Sequence, residues 1–334
     1  VLWAAVLAAA GRAAAADPEL DRTIAKGLEW LAAHQSPSGH WTAGAGQFGG
    51  SYPTAMTALA GIALLCEGST TTQGKYAPEL RKTVEYLANR SRNNGLIGDP
   101  TRDDRYTYGH GFAMLFLSQV LGEEEDADRR EQLVDVLSRA VLFTGRAQCS
   151  DGGWGYLSAK DGGNFTEGST TITQVQGLRG CRNAGIPVPK EILDKAVRYI
   201  QRSTGSDGGV QYNLQSPGGR PAITAAAIAC LFNAGEYDSR YVPKLMHYCD
   251  QNLDNLSTQA FGFWHYAHYY YAQVLYREGG TKWDAYRRKI FPRLVMEAQS
   301  DGAWNQGYIG PVFTTAVNLT ILQLPKNVLP IYQR

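Results

Sequence analysis

The chain has 334 residues, of which 44% are hydrophobic and 19% charged, with a formal net charge of +1. That length and apolar content call for a substantial buried core rather than disorder. The near-neutral balance, with no basic stripe along the sequence, argues against a nucleic-acid partner, and no apolar run is long enough to span a bilayer as a helix.

From the first residue, "VLWAAVLAAAGRAAAAD" sets an apolar run before Ala14-Ala15-Ala16 and Asp17. That is the pattern of a signal-peptide core with an A-x-A cleavage site, here without its Met and charged n-region. The reading is a truncated leader over 1–16, one domain over 17–334, and export to a bacterial periplasm or beyond. An Ala-rich first helix is the plainer alternative.

Residues 26–41, "KGLEWLAAHQSPSGHW", set the pattern for the rest. Residues 139–154, "RAVLFTGRAQCSDGGW", repeat it, with Arg139, Ala140, Phe143, Gln148, Gly152 and Trp154 in register with Lys26, Gly27, Trp30, Gln35, Gly39 and Trp41. Weaker copies at 82–97 and 195–210 keep the basic residue, the aromatic and the glycine. The interval is 56 or 57 residues throughout, the signature of a repeat architecture.

Each unit has the same internal order. A first helix carries the aromatic, as over Gly27–His34 and Glu191–Arg202, and a Gly-rich loop such as "SDGGWGY" follows. A second helix dense in small and apolar residues then runs over 52–68, 170–185 or 222–235, ending on a glycine suited to the left-handed position. Two shorter units, through "FWHYAHYYYAQVLYREGG" (263–280) and "QSDGAWNQGYIGPVFTTAVNLTILQL" (to Leu324), bring the count to six helix pairs. No strand-like alternation of useful length occurs, so the chain reads as all-α.

The first helices carry charges such as Glu29, Arg81, Glu85, Asp194 and Arg198, as outer helices should. The second helices suit close packing around an inner ring. The expected architecture is a closed α/α toroid of six helix pairs, an α6/α6 barrel, with an open solenoid as runner-up. The acidic run Glu123–Asp128 reads as a solvated loop. The five cysteines, without any C-x-x-C, argue against a disulfide framework or a cysteine-rich zinc site; Cys66, Cys181 and Cys230 read as small buried apolar residues.

Residues 26–41 match the QW motif of squalene and oxidosqualene cyclases at every defined position, and 139–154 match it at all but Thr144. Over about residues 20–325 the chain resembles the terpenoid cyclase and protein prenyltransferase superfamily. The resemblance implies a toroid in which Gln35, Trp41, Gln148 and Trp154 are staples between repeats rather than catalysts. It does not imply a reaction.

Class II terpene cyclases take their acid from a D-x-D-D motif, in which neighbouring carboxylates and hydrogen bonds keep one Asp protonated. This sequence has none. The nearest fragments are "RDDRY" (102–106), before the second inner helix, and "DADRR" (126–130), in a charged linker; the corresponding stretch of the third repeat offers only Glu167. The candidate acid and base are Asp103, Asp104 and His110. A single toroid also departs from the two-domain squalene cyclases.

Protein prenyltransferases hold zinc with Asp, Cys and His. "FWHYAHYYYA" places His265 in a similar setting, but the stretch that should supply the D-x-C, "GGRPAITAA" (218–226), has neither. His265 and His268 share a helical face, yet no third ligand is evident, so no metal and no cofactor is expected. Arg105, Tyr106, Tyr108 and His110 supply the residue types with which other α/α toroids cleave acidic polysaccharides, without any substrate-specific motif.

What remains is aromatic supply. Tyr52, Tyr108, Phe112, Tyr156, Tyr212, Trp264, Tyr266 and Tyr308 fall in loops or at the beginnings of inner helices, facing one end of a central cavity. With Glu167, His265 and His268 as polar anchors they read either as a ligand-binding ring or as a plug for the hole. The leading functional reading is an exported squalene-cyclase-like toroid that binds an isoprenoid or other apolar ligand, or a protein partner, without cyclase chemistry. The competing readings are a terpene cyclase-related enzyme and, third, a polysaccharide lyase.

Overall fold

The computed structural model describes residues 17–44, 50–162, 164–258 and 263–333. The expected leader, 1–16, lies outside them. Within them run twelve α-helices: α1 (Pro18–Ala33), α2 (Pro53–Leu65), α3 (Ala77–Ala88), α4 (Tyr106–Glu123), α5 (Ala127–Ala147), α6 (Gly168–Asn183), α7 (Lys190–Ser203), α8 (Pro221–Ala234), α9 (Val242–Asn252), α10 (Trp264–Glu278), α11 (Gly280–Glu297) and α12 (Pro311–Gln323). Among the described residues no strand forms, only isolated bridges between loops.

The even-numbered helices are buried along most of their length and on nearly every side. All thirteen residues of α2 are buried, and α8 hides everything from Ala222 to Asn233. Proline at the first turn of α2, α8 and α12 starts three of them without losing a helical hydrogen bond. Such helices need neighbours all round. α2, α4, α6, α8, α10 and α12 touch in that order, and α12 returns to α2, where Gln323 Nε2 donates to Ala63 O at 3.0 Å. The ring is therefore closed, and the open solenoid is excluded. The odd-numbered helices pack outside it, α3 against α2 and α4, α7 against α6 and α8, and α1 against α12 and α2.

The loop between an outer and an inner helix joins consecutive repeats. Gln35 Nε2 donates to Gly39 O within its own loop and to Glu79 O on α3, both at 3.0 Å; Gln148 reaches Gly152 O and Ile192 O on α7. The indoles of Trp41, Trp154 and Trp304 donate back to Leu31, Thr144 and Leu294 carbonyls at 2.8–2.9 Å. Gly152 shows why a glycine is required there. Its φ is +98°, and a Cβ would lie 2.4 Å from the Lys195 carbonyl oxygen. The same contact joins Gly39 to Lys82, Gly95 to Arg139, Gly208 to Lys244 and, across the closure, Gly302 to Lys26.

Side chains occupy the axis. Gln176 Nε2 on α6 donates to Gln273 Oε1 on α10 at 2.7 Å, across the ring rather than to a neighbour. Tyr270 is fully buried, edge-on to Tyr266 and Tyr269. The end of the ring at the C-termini of the inner helices is stoppered by the C-terminal segment. There the Ile331 amide donates to Gln119 Oε1 at 3.2 Å, Arg277 donates to Ile331 O, and the Tyr332 and Tyr269 hydroxyls meet at 3.1 Å. All five cysteines are buried. Glu124 corrects the expectation of a wholly solvated acidic loop: it is buried, accepting from Thr71 Oγ1 with Arg129 at 3.8 Å.

Candidate ligand-binding site

The opposite end of the ring, where the inner helices begin, carries the polar and aromatic groups. Its centre is Glu167, fully buried as the N-cap of α6. Oε1 accepts the Thr170 amide at 2.6 Å, Oε2 the Ser169 amide at 2.9 Å, and the Ser169 hydroxyl lies against both oxygens. The Tyr108 hydroxyl adds a donor to Oε1 at 3.3 Å. Burial raises the Glu167 pKa, and these hydrogen bonds oppose the rise. Both oxygens are thus engaged within the protein, at a helix N-terminus that favours negative charge, while burial leaves the pKa raised on balance.

Tyrosines surround it. Tyr108 also bonds to the Ser169 hydroxyl, Tyr266 donates to the Ser169 carbonyl at 3.1 Å, and Tyr156 and Tyr212 share a hydroxyl–hydroxyl bond. The Arg105 guanidinium lies over the Tyr156 ring, 4.4 Å from its centre. Tyr308 lies within electrostatic reach of Arg105, Tyr52, Tyr212 and Glu167. Among the described residues only Tyr52, Phe263 and Asn327 are non-glycine residues with positive φ. The first two are aromatic residues at the starts of α2 and α10, on this rim.

Asp103 and Asp104 lie beside Arg105 and have different surroundings. Asp104 is exposed. Asp103 is buried; Oδ1 accepts the Arg105 amide at 2.9 Å, while Oδ2 is buried without a hydrogen-bond partner. Burial pushes its pKa up to about 6.

His110 does not join this cluster. It is fully buried between α4 and α5, where the Ile97 amide donates to Nδ1 and Nε2 meets Thr144 Oγ1, both at 3.0 Å. With both nitrogens engaged and burial taking its pKa down to about 3, it has no free site for proton transfer at the rim. Phe112 is likewise a core residue of α4.

A pocket opens between the starts of α10 and α12. It is a shallow opening continuous with solvent, lined by Phe263, Trp264, His265, Tyr266, Tyr308 and Phe313 among others. Trp264 is itself 1% exposed, with Arg293 4.3 Å over its ring and the His268 ring 4.0 Å away, tilted by 32°. His265 and His268 do not converge. His265 Nδ1 meets Asn318 Oδ1 on α12 at 3.1 Å, whereas His268 Nδ1 meets the Tyr286 hydroxyl on α11 at 2.9 Å. Among the described residues no three His, Cys, Asp or Glu side chains come together as a metal site would require.

Sequence reasoning therefore placed most of the rim tyrosines and Glu167 at the same end of the ring. It missed Ser169, which ties Glu167, Tyr108 and Tyr266 together, and Asn318, which orients His265. Ser169 had a signal, as the second residue after a carboxylate that opens a helix. Asn318 had none, being one polar residue in the apolar run of α12.

Neither the protein-family models nor the curated proteins include a match to this sequence. Similarity to solved structures spans nearly the whole chain. Type II terpene cyclase MstE from Scytonema, in complex with geranylgeranyl dihydroxybenzoate, is similar at 16% identity over 93% of this chain and 98% of that one, with a TM-score of 0.58. Unsaturated glucuronyl hydrolase from Bacillus sp. GL1 is similar at 12% identity over 94% and 99%, with a TM-score of 0.64. D-mannose isomerase is similar at 13% identity over 92% and 99%, with a TM-score of 0.59. These likenesses show the fold, an α/α toroid.

Proposed function

We propose that this chain is an exported toroid that binds an apolar ligand in the tyrosine-lined cup at the N-terminal ends of its inner helices, without cyclase chemistry. The observation that carries the reading is the contrast between the two ends of the ring. One is stoppered by Ile331 and Tyr332, and the axis holds Tyr270 and the Gln176–Gln273 pair. The other presents Tyr108, Tyr156, Tyr212, Tyr266 and Tyr308 around Glu167. Aromatic faces with a few fixed polar groups suit an apolar ligand with a polar end. The saturated hydrogen bonding of Glu167 and the lack of D-x-D-D both speak against a strong acid at this position. The leader-like segment supports export, and a protein partner at the same rim is the other occupant this reading allows.

The second reading is a terpene cyclase-related enzyme acting on an isoprenoid, with Asp103 and Asp104 as acid and base. It is favoured by the unpartnered Asp103 oxygen beside Arg105 and by the fold shared with MstE. A reaction on an acidic sugar stands third, on the fold shared with the glucuronyl hydrolase.

Native mass spectrometry of the protein purified from an isoprenoid-producing host separates them. A retained lipid-sized mass, lost in Tyr156→Ala and Tyr308→Ala, supports the cup. An isoprenoid consumed by the protein and spared by Asp103→Asn supports the enzyme. No retained mass and no turnover sinks both.

A further inference from the structure

We infer that the pocket between the starts of α10 and α12 is a subsite for a hydroxyl group on an otherwise apolar ring, with His265 Nε2 as its hydrogen-bond partner. This rests on the reading of the rim as a ligand cup and names the chemistry one wall of it recognises. His265 is 4% exposed and lines the pocket. Its ring is fixed from behind, Nδ1 meeting Asn318 Oδ1 at 3.1 Å. Its other nitrogen, Nε2, is buried and has no hydrogen-bond partner among the described residues. A buried polar atom left without a partner is destabilising, so an arrangement that holds one at a pocket wall leaves interaction energy for a ligand.

The surroundings define the ligand. Gly307 faces the same edge of the imidazole: a Cβ built there would lie 3.8 Å from His265 Cδ2 and 3.6 Å from Thr314 Oγ1, with nothing else within 4 Å. A glycine, with φ of +87°, thus leaves space beside the Cδ2–Nε2 edge. The remaining walls are mainly apolar, with Phe263, Trp264, Ile309 and Phe313 prominent. A ligand charge would be poorly solvated there, whereas an apolar ring is not. Burial lowers the His265 pKa, which keeps the ring neutral at pH 7. With Nδ1 donating to the Asn318 carboxamide oxygen, Nε2 of the neutral ring is an acceptor, and a ligand hydroxyl can donate to it.

The test uses small cyclic probes on the whole chain labelled with [15N]histidine: cyclohexanol, and methylcyclohexane as its counterpart without a hydroxyl. Cyclohexanol should shift the His265 Nε2 resonance and leave those of exposed His34 and His247 in place. The ratio of the two affinities should move about tenfold toward methylcyclohexane in His265→Phe, equivalent to about 1.4 kcal/mol. An unmoved His265 resonance, or the same ratio in both proteins, overturns the inference. The resonance is read on the unsubstituted protein, so it decides the matter even where the variant fails to fold. A cyclohexanol response without any retained isoprenoid would keep the subsite and sink the apolar-cup reading. Isoprenoid retention without the response would do the reverse.

Discussion

The Ile97 amide donates to Nδ1 of His110 at 3.0 Å. In four other repeats the same kind of loop amide finds a threonine on the inner helix: Trp41 with Thr57, Trp154 with Thr171, Val210 with Thr224 and Trp304 with Thr315, at 2.8–3.1 Å. His110 is the second repeat's version of that threonine. His110→Ala should therefore destabilise the fold by about 2 kcal/mol, because it strands a buried amide and opens a small cavity. His110→Thr should recover part of the loss. Urea unfolding midpoints measure both, and ligand retention by the folded fraction should not change. Loss of binding or turnover at unchanged stability would return His110 to the site.

The joining geometry gives a second, sharper expectation. Gly152 and Gly185 both have positive φ, but a Cβ on Gly152 meets the Lys195 backbone at 2.4 Å while one on Gly185 meets nothing within 4 Å. Gly185→Ala should show only the backbone strain, about 1 kcal/mol. Gly152→Ala should cost at least about 2 kcal/mol more, since the contact is with backbone and one whole repeat must move. Thermal melts of the two variants side by side would show it; equal losses would mean that the repeats do not bear on one another at these glycines.

The fold was legible because the repeat is written in residues whose roles are local and geometric. The glycine has to clear a carbonyl, the tryptophan has to reach back ten residues, and the inner helices have to be buried on nearly every side. Tyr108, Tyr156 and Glu167 could be placed at one end of the ring from their position before inner helices. Their partners could not. Which hydroxyl meets Glu167, or that His265 turns to Asn318 and His268 to Tyr286, depends on contacts between helices tens of residues apart. His110 misled for a related reason: a polar residue opening an inner helix looks the same in sequence whether it faces the cup or caps a loop.

Buried histidines set a pH dependence whose sign is fixed. Burial lowers the folded-state pKa of His110 and of His268 to about 3, whereas unfolded histidine titrates near 6.5. Between those values the unfolded chain binds more protons, so stability is full above about pH 6.5 and falls as the pH drops toward 3. Each histidine contributes a slope of up to about 1.4 kcal/mol per pH unit. Asp103 acts oppositely: its folded pKa of about 6 lies above the usual value, so its share of stability falls as pH rises from about 4 to 6. His265, lowered by burial, adds to the two imidazoles, and Glu167, raised by burial, adds to Asp103; net stability should rise between pH 4 and 6, three histidines against two carboxyls, and more steeply in Asp103→Asn. Chemical denaturation at half-unit pH steps checks this; a flat profile would mean that the imidazoles are hydrated in the folded protein.

Tyr332 tests whether the C-terminal segment is part of the barrel or merely rests on it. Its side chain is 3% exposed, its hydroxyl meets Tyr269 at 3.1 Å, and the neighbouring Ile331 backbone is held by Gln119 and Arg277. Tyr332→Phe removes one hydrogen bond and should cost about 1 kcal/mol. Tyr332→Ala removes a large buried ring from the foot of a closed ring of helices that cannot collapse inward, so it should cost about 3–5 kcal/mol. It should also admit a fluorescent apolar dye such as 8-anilinonaphthalene-1-sulfonate under native conditions. If Tyr332→Ala is as stable as Tyr332→Phe and takes up no dye, the segment is not the stopper, and the contrast between the two ends of the ring would no longer support the cup.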